Sequence, residues 1–359
     1  MIKKEFNAQV QKHLNEIEKD KMSVFLMADS KFRGAFFNGT TLVNQMRAQH
    51  NLGILETLIL GHGVLCAALM IQTMKGKEHL TFRYDTDGLC KGFSVELDST
   101  GYIRGYIYNN IEITEPPKNF DIAPYIGEGT VTITRYTEGA REPQIGTTQI
   151  LYKNIALDLA HYFLQSEQIN TAFNTSIQFD KEGNVIGAGG MFLQSIPEYG
   201  GKSSNGPSNS RKASSKIADA DIESSEASSN TTSSSDCITS SDGTESNDEK
   251  LTKFAKNFKE ELLIKAENAF RAMPSIGQWF AQKGNNDDVV YGLFREFEPK
   301  VVLERDIIFD CPCSKDSFLA HIKNLPKSQL QQIIEDKKDL EVICHNCNSI
   351  YTIPVSELM

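Results

Sequence analysis

Four cysteines near the end of the chain are the residues whose type and spacing best support chemistry. They form two close pairs, Cys311-Pro312-Cys313 and Cys344-His345-Asn346-Cys347, with thirty residues between the pairs. Four thiols in this arrangement suit one tetrahedral metal ion, and they suit two local disulfides equally well. A group that can pass between these two states is able to sense oxidation.

A metal at this position would stabilise the end of the chain. The 55 residues from 305 to 359 can bury only a small core of their own. Structural zinc contributes roughly 10–16 kcal/mol to the folding of small zinc domains. The sequence therefore predicts one zinc ion per chain, bound by Cys311, Cys313, Cys344 and Cys347. A permanent structural site is the simplest form of this prediction.

Three features favour a reversible switch over a permanent site. Thiolates bound to zinc are deprotonated, and the thiolate is the form that oxidants attack. A disulfide between Cys311 and Cys313 would be strained and therefore easier to reduce again, whereas the Cys344–Cys347 spacing closes readily. Oxidation of both pairs would leave no thiolate ligands, so zinc would leave and the module would unfold.

Other kinds of site remain open. His345 could replace one cysteine in a Cys₃His site. The Cys-x-x-Cys spacing also occurs in thiol oxidoreductases, but there it normally begins a helix beside a βαβ unit, which this sequence lacks. A zinc-dependent hydrolase usually keeps one coordination position open, and four cysteines fill it. A zinc-ribbon module that binds nucleic acid is the remaining alternative.

Composition and charge limit the partners that this chain is expected to have. The chain has 359 residues, of which 40% are hydrophobic and 23% are charged, with a formal net charge of −10. An acidic chain lacks the clustered Lys and Arg that phosphate binding needs, so no nucleic-acid partner is expected. The N-terminus has no apolar signal region, and the apolar stretch from Ile54 to Met74 contains Glu56 and His62. We therefore predict a cytoplasmic protein with no membrane partner.

Residues 1–197 are predicted to form one folded domain of mixed structure. Helical patterns are expected towards His50, over 52–74 and over 155–165, and Thr40 or Thr41 is the expected cap of the helix before His50. A short strand is expected over 24–27. The period changes to two after the helix over 52–74, and further strands are expected over 79–84, 92–97, 102–107, 130–136, 175–179 and 185–193. The mixture predicts an α+β fold whose N-terminal core domain has an antiparallel sheet and packed helices.

Three further segments follow this core domain. Serine supplies 16 of the 50 residues from 201 to 250, so residues 198–250 are predicted to be a disordered linker with little to bury. Residues 251–304 are predicted to be a helical linker region, with a strong amphipathic stripe at its start. Residues 305–359 are predicted to be a small zinc-binding domain with one helix over 326–336 and short strands beside the second cysteine pair.

The cysteine pattern resembles that of the heat-shock protein 33 family of redox-regulated chaperones. Ser317, where the family would have Arg, and His345-Asn346 within the second cysteine pair depart from its pattern, and 200–250 resembles an insertion into its linker. None of these departures removes a thiol. Three segments of the first domain also resemble the family: Gly101-Tyr102-Ile103-Arg104-Gly105-Tyr106, Tyr162-Phe163-Leu164-Gln165-Ser166-Glu167-Gln168, and Gly187-Ala188-Gly189-Gly190 with Gln194 and Pro197.

The resemblance implies an ATP-independent holdase and no enzymatic activity. Its reduced form would be inactive and bind zinc. Oxidation would form Cys311–Cys313 and Cys344–Cys347 disulfides, release zinc and unfold the linker. The active form would be a homodimer that binds unfolded or partly unfolded client proteins.

The resemblance also gives the amphipathic stripe a role. In the reduced form the stripe would pack on the first domain, as any buried helix face does. After oxidation it would bind clients. The expected client-binding residues are Phe254, Phe258, Leu262, Phe270, Met273, Ile276, Trp279 and Phe280. Arg104, Glu167 and Gln168 are expected to be structural hydrogen-bonding residues.

Overall fold

Two large, mainly antiparallel sheets, a small hairpin and several helices make up the larger unit of the chain. The computed structural model describes residues 1–111, 120–196 and 261–358. Met1–Pro197 and Ala266–Met359 belong to one compact unit, and Glu198–Lys265 belong to another. The predicted disordered linker over 198–250, with Cys237, therefore lies outside the described residues.

The first sheet has five strands that are all antiparallel to their neighbours. Its spatial order is β10-β1-β2-β9-β8. Strand β10 comes from the C-terminal part of the chain and pairs with the first strand, so it forms one edge of a sheet built otherwise from the N-terminal domain. The strands are β1 (Lys21–Met27), β2 (Phe32–Asn38), β8 (Thr171–Phe179), β9 (Val185–Ser195) and β10 (Lys300–Arg305).

The second sheet has six strands in the order β11-β5-β4-β3-β6-β7. All neighbours are antiparallel except β11, which pairs in parallel with β5 at the edge. A separate hairpin of β12 (Leu340–Ile343) and β13 (Ile350–Ile353) lies near the C-terminus. The six strands are β3 (His79–Thr86), β4 (Gly92–Asp98), β5 (Tyr102–Ile107), β6 (Gly129–Tyr136), β7 (Gln144–Gln149) and β11 (Ile308–Phe309).

One apolar helix, α3, forms the centre of the core. It is buried along nearly its whole length, and it contacts β4, β5, β8 and β9. The other helices are shorter. In chain order the helices are α1 (Ala8–Glu16), α2 (Thr40–His50), α3 (Ile54–Met70), α4 (Ile155–Tyr162), α5 (described over 261–271), α6 (Ile276–Ala281), α7 (Asn286–Leu293), α8 (Lys315–Lys323) and α9 (Lys327–Glu335).

The segment Ile54–Thr73 is long and apolar enough to cross a membrane. In the folded protein, 83% of its most apolar window is buried by other residues. Apolar burial on all sides is what a helix at the centre of a domain core requires. The segment is therefore accounted for as the core helix.

The N-terminus of α2 is capped from a distance. The expected cap at Thr40 or Thr41 is wrong, because Gly39 holds the N-cap position and makes no side-chain cap. The Asp20 carboxylate instead accepts hydrogen bonds from the backbone N–H groups of Thr41 and Leu42, at 2.8 and 2.7 Å. Burial raises the pKa of Asp20 to about 6. A tertiary contact thus supplies a cap that local sequence cannot indicate.

The α+β fold expected from the sequence is confirmed, and the expected strands and main helices are present. The expectation of helix as far as residue 304 is wrong at its end, because 300–305 is strand β10. Its residues pair with β1, with a register shift between Val24 and Phe25. Strands β2 and β7 and helix α8 were not predicted at all.

A strip of glycines in β9 receives helix α6. A Cβ atom on Gly187 would clash with the carbonyl oxygen of Gly277 in α6. A Cβ atom on Gly189 would lie 2.5 Å from the ring of Phe280, and that ring packs 5.4 Å from the ring of Phe36. The glycine segment therefore lets the linker helix approach the sheet backbone closely.

His62 generates a pH-dependence prediction. Burial lowers its pKa to about 4, and its Nδ1 lies 2.8 Å from the Thr175 hydroxyl. Between pH 6.5 and 4 the unfolded chain binds a proton at this histidine that the folded chain does not, so stability should fall as pH falls through this window. His62→Gln should flatten that fall by roughly 3 kcal/mol at most. Urea unfolding across the window checks this.

The control is His321→Gln, which changes an exposed histidine of α8. Both variants keep every thiol, so a difference from the parent in the pH dependence of stability is due to the replaced histidine. An equal pH profile in the parent and in His62→Gln would contradict the prediction.

Candidate metal centre

The four C-terminal cysteines converge on one point. Their Sγ atoms all lie within 4.8 Å of one another. The distance is 3.8 Å between Cys311 and Cys344, and 3.3 Å between Cys313 and Cys347. Zinc–sulfur bonds of about 2.3 Å at tetrahedral angles place sulfurs about 3.8 Å apart. The donor set therefore fits one tetrahedral thiophilic ion.

The first pair is positioned by the second sheet. Ile308 and Phe309 pair in parallel with Tyr102 and Ile103 of β5. The N–H of Asp310 then donates to the Ile103 carbonyl at 2.9 Å. Cys311 follows at once and is buried. The edge of the core sheet thus fixes the backbone that carries the first cysteine pair.

The second pair lies in the turn between β12 and β13. Within the turn, the N–H groups of Cys347 and Asn348 donate to the Cys344 carbonyl at 3.4 and 2.7 Å, and Asn348 has a φ of 53°. This tight turn brings the two sulfurs to the same side. Outside it, the N–H of Gly105 in β5 donates to the Asn346 carbonyl at 3.3 Å. One strand therefore holds both pairs.

Hydrogen bonds among the four cysteines shift the pKa values of their thiols. The hydrogen bond from Cys344 lowers the pKa of Cys311 well below the usual range for a thiol. The hydrogen bond to Cys311 raises the pKa of Cys347. A divalent cation would displace thiol protons, so metal binding at this cluster releases protons.

Polar groups around the sulfurs fix their positions. The Tyr351 hydroxyl donates to the Cys313 carbonyl at 3.0 Å and lies 3.3 Å from its Sγ. The Ser349 hydroxyl lies 3.2 Å from the Sγ of Cys347. Partners of this kind orient metal ligands and tune their affinity. His345 is exposed, its ring lies 5.8 Å from that of Tyr106, and the cluster consists of sulfurs alone.

Arg104 joins the cluster to the core sheet. Its guanidinium donates to Glu96 at 2.6 and 2.8 Å, and its Nη1 lies 3.5 Å from the Sγ of Cys311. A cation beside a thiolate stabilises the negative charge of that thiolate. The expectation of a structural role for Arg104 is thus extended, because this arginine contacts a sulfur of the cluster directly.

A buried glutamine joins the cluster to the N-terminal segment. Gln49 of α2 donates to the Ile2 carbonyl at 2.6 Å, and its carbonyl oxygen accepts from the Lys4 N–H at 3.1 Å. The N–H of Ile2 donates to the Ser349 hydroxyl at 3.0 Å. Sequence reasoning missed Gln49, Ser349 and the N-terminal segment because the contacts that join them span more than forty residues of sequence.

Most of the chain matches the model of one protein family. A family model described as Hsp33 protein matches residues 20–354. The chain belongs to the Hsp33 family. The resemblance carried by the cysteine pairs is thereby confirmed.

Individual members of the Hsp33 family match nearly end to end. The 33 kDa chaperonin of Caldanaerobacter subterraneus subsp. tengcongensis is 26% identical over 316 residues, 87% of each chain. The 33 kDa chaperonin of Streptococcus pyogenes is 24% identical over 343 residues, 94% of this chain and 97% of that one. The crystal structure of the Thermotoga maritima homologue has a TM-score of 0.70 at 23% identity, covering 95% and 97% of the two chains, and supports the fold.

The expected client-binding residues of this Hsp33 family member occupy different environments. Phe254 and Phe258 lie outside the described residues, and Leu262 is a half-buried residue of α5 in the smaller unit. Ile276 and Phe280 are each 1% exposed in α6, against the first sheet. Phe270, Met273 and Trp279 are half-buried. The described part of the stripe in the larger unit is therefore largely covered.

Replacing one sulfur tests the metal centre. Cys347 is fully buried in the cluster, so Cys347→Ser should lower bound zinc from about one ion per chain to a small fraction, because a serine hydroxyl is a poor zinc ligand. Elemental analysis of reduced protein checks this. Cys237→Ser, outside the cluster, is the control and should keep its zinc. Full zinc occupancy in Cys347→Ser would contradict the assignment.

Replacing Arg104 tests the link between the cluster and the sheet. Arg104→Met should speed zinc transfer to a chromophoric chelator by about tenfold, because charge-assisted hydrogen bonds of this kind contribute about 1.5–3 kcal/mol. The matched control is Arg83→Met, which removes an exposed arginine of β3 paired with Asp85. Equal release rates in the two variants under reducing conditions would show that Arg104 does not hold the cluster.

Proposed function

We propose that this chain is a redox-regulated, ATP-independent holdase of the cytoplasm, with zinc bound to Cys311, Cys313, Cys344 and Cys347 in its reduced form. Membership of the Hsp33 family and the names of its relatives support the chaperone role. The convergence of four sulfurs within 4.8 Å is the observation that best supports the proposed redox switch. The arrangement offers no open metal position for hydrolysis.

The proposed switch oxidises the two cysteine pairs separately. Each disulfide, Cys311–Cys313 and Cys344–Cys347, forms as two thiolates lose two electrons to a peroxide, and the peroxide is reduced to two waters with the uptake of two protons. Two equivalents of peroxide consume all four thiolates. The zinc ion then has no ligands and leaves as Zn²⁺, and the free energy it contributed to folding is lost.

The backbone continues from the cluster into the linker. Cys311 follows β11, and β10 precedes β11 by two residues. Loss of the metal would free β11 from β5 and then β10 from β1. Upstream of β10, α7 is held by Asn286, whose amide donates to the Lys21 and Phe36 carbonyls at 3.0 and 3.3 Å. Release of this edge would uncover both the sheet and the linker helices.

The uncovered surfaces would be apolar. Ile276 and Phe280 of α6 would leave the glycine strip of β9, and Phe294 would leave the ring of Phe25, from which it lies 5.7 Å. With Phe254, Phe258, Leu262, Phe270, Met273 and Trp279 these side chains would bind unfolded or partly unfolded clients. The same exposed surfaces favour a homodimer of the oxidised form. We propose the four segments 1–197, 198–250, 251–304 and 305–359 as the core, disordered insertion, linker and switch.

A single experiment tests the proposed function. Zinc, free thiols and client aggregation are measured together before and after treatment with peroxide at mild heat. We expect four fewer reduced thiols from the cluster, loss of about one zinc per chain, and suppression of light scattering only after oxidation. Full suppression by the reduced form at equal dose would contradict the switch. Rapid reduction of insulin by the dithiol form would favour a thiol oxidoreductase instead.

The linker contact gives a second test. Phe280→Ala should cost about 3–5 kcal/mol of packing because its ring is 1% exposed against Gly189 and Phe36. The reduced variant should therefore suppress aggregation without peroxide while it keeps its zinc. Gln278→Ala, an exposed change in the same helix, is the control. A reduced Phe280→Ala variant as inactive as the parent would argue that α6 does not cover a client-binding surface.

A further inference from the structure

A second polar site lies away from the cysteines, at one end of the two sheets. It is a cavity of about 420 Å³, within the range of small-molecule sites. Two of the family-like segments meet there, through Glu167 and Gln194. The proposed redox switch makes no use of Glu167 or Gln194. Their convergence on a cavity asks for a separate explanation.

Two partly buried arginines line this cavity. Arg33 of β2 donates to the Gln72 carbonyl at 3.0 Å and to the Gln194 side-chain oxygen at 2.5 Å. Its guanidinium carbon lies 5.9 Å from the centre of the Phe192 ring. Burial lowers the pKa of Arg33. Its charge is therefore partly desolvated, and among the described residues no carboxylate forms an ion pair with it.

Arg135 of β6 is the second arginine of the lining. Its side chain is 12% exposed, and its Nη1 donates to the Thr73 hydroxyl at 3.2 Å. The Nε of Arg135 lies 3.5 Å from the Glu167 carboxylate, too far for a good hydrogen bond. The buried Nε atoms of Arg33 and Arg135 donate no hydrogen bond within the described protein. Buried donors of this kind normally have an acceptor.

The side chains that line the cavity carry more positive than negative charge. Arg33, Arg135 and Lys75 supply three positive charges, and Glu78 and Glu167 supply two negative ones. Glu167 is the partner of Arg135, and the Glu78 carboxylate accepts from the backbone N–H of Lys75 at 3.0 Å. The net charge of the lining is therefore positive, on a chain whose formal net charge is −10. A bound anion would supply the missing negative charge.

We propose that this cavity binds a small phosphate monoester whose organic group is apolar. The phosphate oxygens accept from the Nη groups of Arg33 and Arg135, because the two Nε atoms are covered by protein and planar guanidinium groups match phosphate geometry. Inorganic phosphate alone would leave most of the cavity empty. Phe163, Ile169 and Ile196 line the rest of the cavity and contact the organic group.

Calorimetric titration of the full, reduced, zinc-loaded chain tests this proposal. The probes are phenyl phosphate, inorganic phosphate and benzoate. We expect phenyl phosphate to bind at one site per chain, at least tenfold more tightly than either of the others, and more weakly as salt is raised. Absence of binding at millimolar phenyl phosphate, or equal affinity for benzoate, would overturn it.

Variants locate the binding. Arg33→Met and Arg135→Met keep the volume of the side-chain stem and remove the charge, and each should weaken phenyl phosphate at least tenfold. Arg83→Met is the control and should change the affinity less than twofold, because Arg83 does not line the cavity. Arg33→Lys keeps the positive charge and removes the planar guanidinium group. It replaces Arg33→Met in the test if that variant does not fold, and it should weaken binding by a smaller factor. Unchanged affinity in the arginine variants would overturn the proposal.

Discussion

The contact between strand β5 and the two cysteine pairs is the constraint on which the rest of this structure depends. Phe309 pairs with Ile103, Gly105 binds the Asn346 carbonyl, and Arg104 reaches the sulfur of Cys311. Three consecutive residues of one core strand thus hold both halves of the cluster. The fold of the C-terminal module and its position on the core domain are therefore set by the same few atoms.

Under the proposed switch, this arrangement would let chemistry at sulfur act on a distant surface. The linker helices pack on the first sheet, whereas the cysteines lie against the second. Strands β10 and β11 are separated by two residues. Strand β10 belongs to the first sheet and β11 to the second. A change that frees β11 would therefore also loosen β10, the edge strand of the first sheet, next to α7. No long-range signal through the core is needed, because the connection is covalent and short.

The sequence predicted the cluster well and its surroundings poorly. Cysteine spacing is a local pattern with few chemical meanings, so the four sulfurs could be assigned at once. Asp20, Gln49 and Ser349 act on partners far along the chain, and no local pattern reports such contacts. The sequence predicts helix over β10 because its neighbours are helical, whereas pairing with β1 decides its conformation. The glycines of β9 were recognised as a motif, but their reason, the close approach of α6, needs the three-dimensional structure.

Hydrogen exchange of the reduced and oxidised chain tests the central claim most directly, when zinc is counted in the same samples. The account predicts that oxidation with loss of zinc removes the protection of β10, β11 and α6, while the amides of β3 and β4 in the core stay protected. Retained protection of β10 and α6 in protein that has lost its zinc and oxidised all four cysteines would contradict it.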